Sequence, residues 1–137
     1  MALQKAESTL HRKIKLALGD SFKAKGWSVR HIDGENDQTD IVQNENKVGD
    51  GENKRPDVDA KDGSSDRFIR GEAKIGDGDF GSEHSKTQYK LFSDRENNGV
   101  DSWLILGVPI GKKNEMQSIL NECLTEKQLG KVAIWEF

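Results

Sequence analysis

The sequence predicts an α/β domain in which a mixed four- to five-stranded sheet is flanked by helices. The order is helix, three-strand meander, helix, strand, helix, strand. Three observations carry this. Leu3, Ala6, Leu10, Ile14, Ala17, Leu18 and Phe22 recur at helical spacing near the start of the chain. The stretches 55–60 and 67–75 alternate in character on either side of a turn-rich segment, as a hairpin does. Ser102 to Val108 is continuously apolar with β-branched and aromatic members, the mark of a strand buried on both faces.

Taken in order, the first helix spans residues 2 to about 25 and Gly26 ends it. Trp27 to Ile32 alternates and reads as a strand. Residues 33–54 are rich in Asn, Asp, Glu and Gly, with only Ile41, Val42 and Val48 apolar. A polar loop that long is either functional or mobile, with room for a short strand around Asp40 to Gln43. The hairpin follows. Pairing Ala60 with Ile69 and Val58 with Gly71 sets its register and places Asp57 opposite Glu72. After the glycine-rich loop 76–81, Ser82 caps a helix to about Asn97, stopped by Asn98-Gly99. Beyond the apolar strand, Met116, Ile119, Leu120, Cys123 and Leu124 mark another amphipathic helix, and Val132 to Phe137 the last strand. Three successive antiparallel strands followed by helical crossovers give a mixed sheet.

At 137 residues the chain, 1–137, is expected to form a single domain carrying a polar acidic loop at 33–54. One third of the residues are charged and mean hydropathy is −0.81, which suits a water-exposed surface. The longest apolar run, Trp103 to Ile110, is too short to cross a bilayer, so no membrane partner is expected. One cysteine, Cys123, cannot form an internal disulfide and fits a reducing compartment, the cytoplasm. The net charge of −3 is unevenly spread. Residues 33–54 hold seven acids against two lysines, a net of −5, which leaves the rest of the chain at +2. Residues 1–30 hold seven bases and two acids. That basic helix is either a phosphate-facing surface or simply a solvated one.

Alternation along 67–75 puts Ile69, Gly71, Ala73 and Ile75 on a small apolar side, and Phe68, Arg70, Glu72 and Lys74 on the other. Glu72 and Lys74 then point the same way, about 7 Å apart along the strand. With Asp57 opposite, two carboxylates and an ammonium share a surface suited to a divalent cation and an activated water. Phosphodiester hydrolysis needs charge neutralisation, hydroxide near pH 7 and a protonated leaving alkoxide. Mg²⁺ takes oxygen ligands, typically one or two carboxylates, and keeps several waters. Asp57 and Glu72 fit that role, with the backbone carbonyl of Ala73 between Glu72 and Lys74. Lys74 suits an electrostatic or water-orienting role better than that of general base, because nearby carboxylates favour its charged form.

The residues Pro56-Asp57, then Glu72-Ala73-Lys74, resemble the PD-(D/E)XK nuclease superfamily, as does the order of elements over roughly residues 2–110. The resemblance implies a restriction-endonuclease-like core and Mg²⁺-dependent cleavage of DNA, with Mn²⁺ able to substitute and with Asp57, Glu72 and Lys74 catalytic. Many members carry a metal-binding acid on the first helix, and Glu7 is the acid well inside that helix here. Gln88 with Phe92 four residues on is similar to a Gln–aromatic pair of members related to recombination nucleases, with Phe92 where Tyr is usual. The chain's size is closest to that of the small junction-resolving and phage or mobile-element nucleases. They usually act as symmetric dimers, which implies a homodimer through Val132 to Phe137 or an exposed helix.

Other readings stay open. The trio also makes an ordinary surface salt-bridge cluster, Glu7 a solvated helix charge and Gln88 a surface amide. Asp59 either joins a second metal or pairs with Arg70. The fold could also serve as a non-catalytic nucleic-acid- or protein-binding module, or as a toxin domain. Gly76-x-Gly78-x-x-Gly81 between a strand and a helix has the dinucleotide-binding form, but Asp77 and Asp79 put negative charge where pyrophosphate would sit. No EF-hand spacing is present, and His11, His31 and His84 show no metal-ligand spacing. Cys123 reads as a buried, inert thiol. Trp27, Trp103 and Trp135 fall on expected strands as core residues, which leaves no aromatic stripe on which single strands would stack.

Overall fold

Five strands form one sheet in chain order: β1 (Ser28–Ile32), β2 (Val58–Lys61), β3 (Phe68–Ala73), β4 (Ser102–Val108) and β5 (Val132–Glu136). The computed structural model describes residues 7–35, 37–63, 67–76, 78–93 and 102–137. Its helices are α1 (Thr9–Ala24), α2 (Glu83–Phe92), α3 (Lys113–Cys123) and the single turn α4 (Glu126–Leu129). β1, β2 and β3 are antiparallel neighbours, whereas β4 joins β3, and β5 joins β4, in parallel. The chain is therefore α/β, with a five-stranded mixed sheet between helices. The hairpin register is the expected one: Ala60 faces Ile69 and Val58 faces Gly71.

α1 buries Ile14, Leu18 and Phe22 on one face of the sheet. Two glycines let it approach closely. A Cβ on Gly107 would lie 2.7 Å from Ile14, and one on Gly71 would lie 3.0 Å from Phe22. The opposite face packs Leu104, Leu106, Val108 and Ile134 against Tyr89 and Phe92 of α2 and Met116 and Leu120 of α3. Alternation along β4 thus feeds both cores, which explains its unbroken apolar run.

Several boundaries differ from expectation. α1 starts at Thr9 because the Ser8 hydroxyl caps it, accepting from the His11 N–H at 3.0 Å. Glu7 therefore precedes the helix rather than lying inside it, and residues 1–6 lie outside the described residues. Gly26, at φ 81°, ends the helix as expected. Asp57 sits just before β2 and Lys74 just after β3. Ser82 caps α2 as expected, but Ser93 closes that helix at Phe92, and its expected extension to Asn97 falls outside the described residues. The amphipathic segment at 116–124 is followed by α4, which a Thr125–Gln128 capping box nucleates.

The acidic loop is pinned rather than loose. It holds two isolated bridges, Asp33–Asp37 and Val42–Lys54, in place of the short strand around 40–43. Val42 is buried against the α2–α3 core. Trp27, Trp103 and Trp135 pack against the α1-face core as expected, but none is fully buried. All three are partly exposed on the α1 face, where α1 packs mainly across β1 to β4 and reaches β5 through Phe22, edge-on to Trp135 at 5.9 Å. No helix among the described residues is long and apolar enough to cross a membrane.

Candidate active site

The start of β2 and the end of β3 lie side by side, and there the two acids clasp each other's backbone. The Asp57 N–H donates to Glu72 Oε1 at 2.9 Å, and the Ala73 N–H donates to Asp57 Oδ2 at 2.8 Å. The Lys74 N–H donates the other way, to the Gly107 carbonyl on β4 at 2.9 Å. A trans peptide puts its C=O opposite its N–H, so the Ala73 carbonyl points to the Asp57 side. Two carboxylates and a carbonyl therefore converge where the register placed them.

Glu72 is buried, with 3 % of its side chain exposed. Burial, and then the charge of Asp57, pushes its carboxyl up to about 8, against the opposing pull of Lys74 and His11. Two acids held together in a low-dielectric site are what a divalent cation relieves.

Lys74 is cradled by α2. Its Nζ donates to Ser85 Oγ at 2.8 Å and to Gln88 Oε1 at 2.6 Å, and lies 3.6 Å from Glu72 Oε2. Ser85 and Gln88 are three apart, so they share the buried face of the helix. Gln88, singled out in sequence only for its spacing to Phe92, lies beside the lysine. Phe92, one turn on, is fully buried core.

Glu7 reaches the site indirectly. Its carboxylate lies 2.6 Å from His11 Nδ1 and 2.9 Å from Lys15 Nζ, and His11 Nε2 lies 3.2 Å from Asp57 Oδ2. The imidazole thus bridges Glu7 and Asp57. Its pKa is raised to about 9, first by the hydrogen bond to Asp57, then against burial by the charge of Asp57, the hydrogen bond to Glu7 and the charge of Glu72. It is an imidazolium at neutral pH. Sequence reasoning missed His11 because it looked for spacing among histidines. The usable signal was the four-residue separation from Glu7. Ser85 was missed too, although it is the residue one turn before the singled-out Gln88.

Asp59 does not join this site. Its carboxylate bonds His31 Nδ1 at 3.0 Å and the Asp40 N–H at 3.0 Å. Arg70 stands opposite it in register, with Nη1 buried and without a hydrogen-bond partner. Burial lowers that guanidinium to about 10, while Asp59 and Asp40 pull it back up. Among the described residues, the groups of three His, Asp or Glu whose ligand atoms lie within 4.8 Å of one another are His31–Asp40–Asp59 and Asp50–Glu52–His84, neither of them at Asp57 and Glu72. Arg30 lies 3.7 Å from Asp40 in the first, and Lys54 Nζ lies 2.6 Å from Asp50 and 2.6 Å from His84 Nδ1 in the second.

In the glycine loop, the Asp79 carboxylate accepts from the N–H groups of Ile75 and Gly76 at 3.0 and 2.9 Å. The chain's own acid thus takes donors that a pyrophosphate would need. Cys123 is half-buried, and burial pushes its thiol pKa up, which keeps it unreactive. Compared with protein-family models, with curated proteins and with solved structures, the chain matches none.

Proposed function

We propose that this chain is a small metal-dependent endonuclease with a restriction-endonuclease-like core, hydrolysing DNA phosphodiester bonds by attack of an activated water. One observation carries the reading. Asp57, Glu72, Lys74 and Gln88, chosen from sequence for that chemistry, are linked by hydrogen bonds and by the 3.6 Å Lys74–Glu72 ion pair, with the Ala73 N–H on Asp57 and Glu7 tied on through His11. An incidental surface salt-bridge cluster would not be buried, as Glu72 and Lys74 are.

The donor set fits Mg²⁺ or Mn²⁺: hard oxygens from Asp57, Glu72 and Ala73, with two acids close enough for Asp57 to raise the Glu72 pKa. A bound ion supplies charge neutralisation at the phosphoryl oxygens and a more acidic water. The chain's own groups do the rest. Ser85 and Gln88 aim the Lys74 ammonium beside Glu72, where it stabilises charge developing on the phosphoryl group and orients the water. His11 holds Asp57 and Glu7 at a fixed separation and keeps a proton at the half-buried rim of the site. Cutting both strands would call for a homodimer, which sedimentation measures. The competing nucleotide-binding reading of loop 76–81 is disfavoured by the Asp79 contacts.

Calorimetric titration of Mn²⁺ tests the reading. The unaltered chain should bind the ion, and Asp57→Asn and Glu72→Gln should each weaken it at least tenfold. Equal affinity in all three proteins would reduce the cluster to a structural ion-pair network.

A further inference from the structure

The α1 face of the sheet carries a second surface, away from Lys74 and its cradle. Trp27 and Trp135 stack with ring centroids 6.2 Å apart and planes 12° apart. Ala133 shares a face of β5 with Trp135, and its neighbour across the ladder is Ile105. Trp103 lies two residues before Ile105 on β4. Between these strands runs a groove of about 150 Å³, lined by Trp103, Ile105, Gly130, Lys131, Val132 and Ala133. All three tryptophans are partly exposed on this strip.

Cations line the groove and sit over these rings. Lys25 Nζ is 5.3 Å from the Trp135 centroid and 6.0 Å from that of Trp27. The Arg67 guanidinium is 4.1 Å from the Trp103 centroid, and Lys131 lines the groove. Indole rings interleaved with cations suit a ligand that is anionic along its backbone and carries flat apolar groups at intervals. A guanidinium plane over an indole offers an unpaired base a further stacking surface. A twofold-related copy of the chain fits poorly, because an isologous contact lays the patch on itself and brings Lys25, Arg67 and Lys131 towards their own equivalents.

We infer that this tryptophan–cation strip binds single-stranded nucleic acid, as an activity separate from cleavage at Asp57 and Glu72. The test is fluorescence anisotropy of a labelled oligothymidylate with the full chain in EDTA, where no divalent ion contributes and no strand is cut. The single strand should bind more tightly than a duplex of equal length and weaken as salt rises. Trp103→Ala should weaken binding roughly five- to a hundredfold, the range for losing one stacked base. Should that variant misfold by circular dichroism, Arg67→Gln and Lys131→Gln decide, each weakening binding and flattening its salt dependence. Absence of single-strand binding would overturn the inference, as would equal affinity for duplex or affinity unchanged in the charge variants. So would sedimentation showing a dimer that Trp103→Ala dissociates. None of these results depends on whether the acids cut DNA.

Discussion

The main-chain N–H of Asp57 donates to Glu72 Oε1 at 2.9 Å, while the carboxylate of Asp57 accepts from the residue after Glu72 at 2.8 Å. Each acid is therefore oriented by a main-chain N–H beside the other. Because Glu72→Gln keeps an oxygen acceptor for the Asp57 N–H, it should fold normally and lose only the charge. Cleavage should fall by about 100- to 1,000-fold or more, the scale for removing one electrostatic contributor to a transition state. Steady-state rates with thermal melts beside them check both halves.

Lys74 depends on α2 for its aim. Ser85→Ala deletes one of its two neutral acceptors in a buried site, a loss of about 1–3 kcal/mol for the group left short. Turnover should drop more than substrate affinity, and Ser85→Thr, which restores a hydroxyl, should recover part of it. Separate kcat and KM values for the two variants check this.

Metal-free stability should fall as pH rises. The fold raises His11 from its ordinary 6.5 to about 9 and Glu72 from 4.5 to about 8, so the folded state holds more protons than the unfolded one across this range. The stabilisation from His11 is complete below pH 6.5 and lost as pH climbs through 9. The Tm difference between the unaltered chain and His11→Ala, followed in EDTA, should shrink between those values. Divalent-ion affinity should rise over the same interval, since both protons compete with the ion.

Gly107 is where α1 rests on β4. A methyl there would lie 2.7 Å from Ile14 and 3.0 Å from Leu18, so Gly107→Ala should destabilise by roughly 1–3 kcal/mol through overpacking. Denaturant melts measure it.

The hairpin was legible in sequence because alternation at Ile69, Gly71 and Ala73 leaves one register that keeps small residues under the helix. Once that register is set, Asp57 and Glu72 must meet. His11 was not legible in the same way, since only the packing of α1 across the sheet brings it to Asp57. The start of α1 was misjudged because periodicity through Leu3 and Ala6 outweighed the capping hydroxyl of Ser8. The partial exposure of the tryptophans was not legible for a related reason. Strand periodicity tells which side chains share a face, but not how far a helix extends over it.

Cleavage of a panel of linear and branched DNAs with Mg²⁺, comparing the unaltered chain with Asp57→Ala, Glu72→Ala and Lys74→Ala, reaches the central claim most directly. The expected result is metal-dependent cutting that each substitution abolishes while circular dichroism stays unchanged. Undiminished cutting in all three variants, or no cutting of any substrate by the unaltered chain, would contradict it.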